Sequence, residues 1–148
     1  MPVAPRTSFF PTLKATLNHN LTVDWYYVDA LEGGGRGPAL YADPEPCAGF
    51  AALDAAQRAV DRRLIAYCDG LDAARAGATV VLIRASDQRN DEPAAGVLAH
   101  LFVHQIHHRG QVHAMLSGTP VAPPQLDEFF LAQDAPLRRA ELDVLGLA

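Results

Sequence analysis

Residues 100–116, HLFVHQIHHRGQVHAML, hold five of the six histidines of this 148-residue chain, and Arg109 is their only formal charge. A segment this apolar at helical spacing must be covered by the rest of the fold, so its pattern constrains the chain more than any other. Take about 100° per residue and set His104 at zero. Val97 and Met115 then fall at about +20°, His108 at about +40°, Leu101 at about +60° and Gln111 at about −20°. His100 and His107 sit beside them at about −40° and −60°, and His113 lies opposite. Leu98, Phe102, Val103, Ile106 and Leu116 spread over the remaining faces, which predicts a helix apolar nearly all round and central to the fold.

Buried neutral imidazoles each carry a donor and an acceptor that need partners, and a metal ion supplies one. Two histidines at i and i+4 stand about 6 Å apart at Cβ, close enough to share a cation. HxxxH occurs twice in overlap, as His100/His104 and His104/His108, and His107 is at i+3 from His104. Spacing does not choose among these pairs, and a hydrogen-bonded histidine cluster without metal satisfies the same pattern. A further ligand must come from another helix. TLNHNLTVDWYYVDAL offers His19, on one stripe with Thr12, Thr16, Val23, Tyr26 and Ala30. Three histidines from two helices leave positions for water or substrate, as catalytic sites do and closed structural ones do not. Asp24, about 140° from His19, is not assigned to the site. His113, Trp25 and the acidic pair Asp29/Glu32 read as structural or solvated.

The remaining chain reads as mainly helical. A first helix is predicted from Phe9 to Leu31, with Ser8 as N-cap, Pro11 in the first turn and GGGRGP (33–38) as terminator. Tyr41 to Pro46 is a loop. A second helix runs from Cys47 to Ala74, with Leu53, Gln57, Val60, Leu64, Tyr67 and Leu71 at helical spacing. TVVLIRAS (79–86) is β-branched and reads as a short extended segment. The histidine helix starts near Asp91, with Pro93 in its first turn, and stops at Ser117-Gly118. LDEFFL and LRRAELDVLGL read as short C-terminal helices. The expected architecture is all-α, a four-helix-type bundle forming one domain over 1–148.

Composition bounds the function. A net charge of −5 with scattered basic residues gives no electrostatic case for nucleic acid. Two cysteines without CxxC spacing read as reduced thiols. With no apolar run of membrane length and no signal-peptide core, the prediction is a soluble cytoplasmic protein.

HLFVHQIHHRGQVHAML resembles the signature helix of the DinB/YfiT-like metalloenzymes, which are unrelated to the DNA polymerase sharing the first name. SFFPTLKATLNHNLTVDWYYVDAL is similar to that family's NH-containing helix, and PPQLDEFF to its usual ending. The resemblance covers most of the chain. It implies a helical bundle holding a divalent metal through His19, His104 and His108. Imidazole ligands put Zn or Ni foremost, with Fe, Mn or Cu as further candidates. His100 and His107 then become neighbours of the ligands. Together with Tyr26 they are the candidates for proton transfer or pocket lining. The family's characterised branches imply thiol-linked transferase, isomerase or hydrolase chemistry on a small-molecule substrate with a low-molecular-weight thiol. A non-catalytic metal-binding bundle with a structural or stress-response role is the alternative. Family members usually carry another long helix before the stretch that begins here at SFF. A shortened start or a wall supplied by a second subunit follows, and with it the expectation of a homodimer.

Overall fold

The computed structural model describes residue 5 and residues 8–123 and 131–146. It is mainly helical, as the sequence predicts, with one small hairpin. Helix α1 spans Leu13–Leu31, α2 Phe50–Asp69, a short α3 Ala73–Gly77, and α4 Ala94–Ser117. Strands β1 (Thr79–Ile83) and β2 (Arg89–Pro93) lie between α3 and α4.

Helix α1 begins four residues later than the sequence suggests, because Thr12 rather than Ser8 caps it. Thr12 is extended, and its Oγ1 accepts from the Ala15 amide at 3.0 Å. At the other end Gly33 adopts φ +80°, a conformation that favours glycine, and the helix stops. A buried asparagine fixes the entry to α2. Asn18 Oδ1 accepts from the Cys47 amide at 2.9 Å, and its Nδ2 donates to the Cys47 carbonyl. Cys47 is thereby tied to α1, and α2 starts only after Gly49. The predicted continuation to Ala74 is broken at Gly70, and Asp72 caps α3 by accepting from the Arg75 amide.

The extended segment has a partner that the sequence reading missed. β1 and β2 pair antiparallel, with Thr79 opposite Pro93 and Ile83 opposite Arg89. Asp91 and Pro93, read as the first turn of the histidine helix, lie in β2 instead. The hairpin turn places Ser86 and Asp87 at positive φ, and the Arg84 amide donates to the Gln88 carbonyl at 2.7 Å. The Ala94 amide donates to the Ala78 carbonyl at 2.9 Å, joining the start of α4 to the base of the hairpin.

Leu21 and Val28 of α1, Val60 of α2 and Leu101 of α4 are the largest fully buried apolar side chains, each contributing about 1.5–3 kcal/mol by burial. Polar groups share this interior. Asp24 is buried and accepts from Gln57 of α2 at 2.8 Å and from Gln105 of α4. The expectation that α4 is covered all round is corrected: its inner face holds Val97, Leu98, Leu101, Gln105, His108 and Met115, while Phe102, Val103 and Ile106 are 45%, 67% and 71% exposed.

The chain divides into two compact units, Met1–Met115 and Leu116–Ala148. In the second, α5 (Ala135–Leu145) follows a short 3₁₀ turn, carries Pro136 in its first turn and ends at Gly146, φ +68°. It is the helix expected of LRRAELDVLGL. Positions 126–130 of the predicted LDEFFL helix lie outside the described residues. Among those described, no helix is long and apolar enough to cross a membrane.

Candidate metal centre

His19 projects from α1, and His104 and His108 project from consecutive turns of α4. The Thr12 cap and the hydrogen bond from the Ala94 amide to the Ala78 carbonyl fix where each helix starts, and their shared core sets how they face. One nitrogen from each ring lies within 4.8 Å of the other two. His19 Nε2 and His104 Nε2 stand 3.1 Å apart. Ring centroids are 4.7 Å apart for His19 and His108, and 4.4 Å for His104 and His108. Two nitrogens bound at about 2.05 Å to one tetrahedral zinc stand about 3.3 Å apart, so the observed spacing is that of two ligands of one ion.

All three rings are held neutral. Burial, and then the mutual repulsion of the histidines, lowers the pKa of His104 to about 4. Burial followed by the proximity of His108 lowers His19. Burial also lowers His108, against the opposing hydrogen bond of Gln111. Neutral imidazole is the form that ligates a cation. Without one, the 3.1 Å contact is a single hydrogen bond between two rings, one donating and the other accepting. The donor set and its spacing therefore fit a divalent ion.

Gln111 gives the HRGQ run a chemical role that spacing did not reveal. Its Oε1 accepts from His108 Nδ1 at 2.8 Å, and its amide nitrogen donates to His107 Nε2 at 3.1 Å. A proton on Nδ1 leaves the His108 lone pair on Nε2, which fixes the ring's tautomer. Phe10, also missed in the sequence, lies beside the site from the segment ahead of α1. Its ring centroid is 4.5 Å from His19 and 5.6 Å from His108. A cavity of about 700 Å³ opens beside them, lined by Phe10, Pro11, His19, Thr22, Val23 and Tyr41 among others.

The proton-transfer candidates separate. The Tyr26 hydroxyl is occupied, donating to the Ile83 carbonyl at 3.0 Å, and its ring packs on Tyr27 and Tyr41. His100 is exposed and stacks on His104 with centroids 6.4 Å apart. His107 is exposed and engaged with Gln111. Glu32 is ion-paired with Arg63 at 2.6 Å, and Asp29 accepts from the Arg36 amide. Cys47 and Cys68 are free thiols.

The family model described as the DinB family matches residues 3–140. No curated protein and no solved structure matches the chain.

Proposed function

The chain belongs to the DinB family, and on that footing we propose that it is a divalent-metal-dependent enzyme using His19, His104 and His108 as ligands. One observation carries the proposal: three neutral imidazole nitrogens from two helices converge beside a largely apolar cavity. Three neutral ligands would leave a bound ion its full charge and room for water or substrate. When bound, the ion supplies Lewis acidity and lowers the pKa of a ligating thiol or water. The chemistry we assign is thiol-linked transfer, isomerisation or hydrolysis of a small molecule.

The chain's own residues have distinct parts in this reading. Gln111 holds His108 in the ligating tautomer. Phe10 shields the His19 and His108 rings from water on one side, which strengthens electrostatic interactions at the site. Thr22, Val23 and Tyr41 shape the cavity that receives the substrate. His100, exposed and stacked on His104, is the proton-transfer group best placed to reach solvent.

A structural role is the second reading. It is favoured by the direct contact between His19 and His104, which links α1 to α4 without an ion. A purely structural ion would be closed off, whereas His19 and His104 are only half-buried and a cavity adjoins His19.

The test is elemental analysis of protein purified without a metal-affinity column. One equivalent of divalent metal per chain is expected, lost in His104→Ala/His108→Ala and retained in His113→Ala. Full occupancy in the double variant would sink the ligand assignment.

A further inference from the structure

Arg84 follows β1 and is half-buried, with its guanidinium carbon 5.5 Å from the centroid of the Tyr26 ring. Burial works against its charge, and the hydroxyls of Tyr27, Tyr26 and Tyr41 favour it, holding its pKa above the ordinary value. No carboxylate contributes to that balance, and among the described residues Arg84 makes no ion pair. Its planar fork matches a carboxylate in two parallel hydrogen bonds.

A cavity of about 230 Å³ adjoins this group, lined by Tyr27, Leu82, Arg84, Glu92, Val97 and His100 among others. Tyr27 and His100 add two hydrogen-bonding side chains, their ring centroids 5.1 Å apart. Glu92, on β2, supplies one negative charge to the same walls. Arg84 and Glu92 cancel in formal charge, so a monoanion leaves the cavity one negative charge in excess and a phosphate dianion two, which favours the monoanion of the two. His100 is a wall shared with the metal centre, since it lines this cavity and stacks on His104. Seven residues of α1 separate His19 from Tyr26, a rise of about 10 Å.

We propose that Arg84, Tyr27 and His100 form a carboxylate-binding subsite that holds the anionic end of an elongated monocarboxylate substrate, whose other end reacts at the metal. The subsite itself stands on Arg84 and its cavity, and the link to catalysis rests on the metal reading above.

Butyrate is the probe, titrated into the full chain with and without cobalt and followed by the NMR signals of the His100 ring. Saturable millimolar binding is expected in both forms, weakened at least tenfold in Arg84→Gln, with cobalt affinity unchanged in that variant. Tyr27→Phe, a milder change, should weaken butyrate severalfold and supports the subsite even if Arg84→Gln does not fold. Methylphosphonate dianion should bind less tightly than butyrate, and Glu92→Gln should narrow that gap. Equal butyrate affinity in wild type, Arg84→Gln and Tyr27→Phe would overturn the subsite, as would shifts seen only with cobalt, which mark butyrate as a metal ligand. Arg84-dependent butyrate binding in a chain that takes up no metal would keep the subsite and remove the metal reading. The two failures are thus distinct.

Discussion

Gln111 Oε1 accepts from His108 Nδ1 at 2.8 Å, so one residue outside the three-histidine cluster decides which nitrogen of His108 carries the lone pair. Partners of this kind are worth about 10–100-fold in metal affinity. Gln111→Ala should weaken cobalt binding by that range in a competition titration, with the circular dichroism of the chain unchanged. Gln111→Glu, which keeps an acceptor at the same reach, should stay closer to wild type. An unaltered dissociation constant in Gln111→Ala would remove the positioning role.

Asp24 gives a prediction about pH. Burial, opposed by hydrogen bonds from Gln57 and Gln105, pushes its pKa up to about 6 from an ordinary 3.8. The folded state then holds this proton more tightly than the unfolded chain. The resulting stabilisation is fully present below about pH 4 and is lost as pH rises through about 6. The difference is worth roughly 3 kcal/mol at most. Asp24→Asn removes the titration, so wild type should lose stability relative to the variant between pH 4 and 7 in parallel urea melts. A gap that stays constant over that window would refute the shift.

The outer face of α4 predicts association. Phe102, Val103 and Ile106 are exposed and neighbour one another on the helix surface. We expect a twofold dimer packing these faces together, with light scattering giving twice the chain mass at micromolar concentration. Val103→Glu/Ile106→Glu should give a monomer that still binds one metal per chain. A wild type that remains monomeric at high concentration would exclude this interface.

Thiol ligation can be seen directly. With cobalt in the site, adding a small thiol should produce a near-ultraviolet charge-transfer band, because a cation with three neutral ligands favours thiolate over thiol. The band should be absent in His108→Ala. A cobalt spectrum indifferent to every common cellular thiol would favour the structural reading.

The clustering of histidines on one helix face was legible because helical periodicity is a local property: i and i+4 share a face whatever surrounds the helix. The family resemblance then chose His104 and His108 from overlapping pairs. What surrounds the site was harder to see. RNDEP is polar and has no strand signature of its own, and it becomes β2 only by pairing with β1. Phe10 reaches the histidines from a non-helical stretch, where no periodicity announces a direction. Asp24 does point away from His19, as its angle requires, but α1 has neighbours on several sides and its far face is buried as well. The converse holds for α4, where apolar residues on every face suggested full coverage and one face is exposed.

His19 and His104 touch although 85 residues separate them along the chain. Cross-linking two such points in an unfolded chain would cost about 4–5 kcal/mol of loop-closure entropy at room temperature. Folding has already closed that loop, so an arriving ion meets ligands whose separation is set. A detached α4 peptide keeps only the His104/His108 pair and gains nothing from that closure. Conversely, an ion held across α1 and α4 opposes their parting. Hydrogen exchange in both helices should therefore slow together when metal is added and quicken together under a chelator, making the two most distant ligand-bearing segments one cooperative unit.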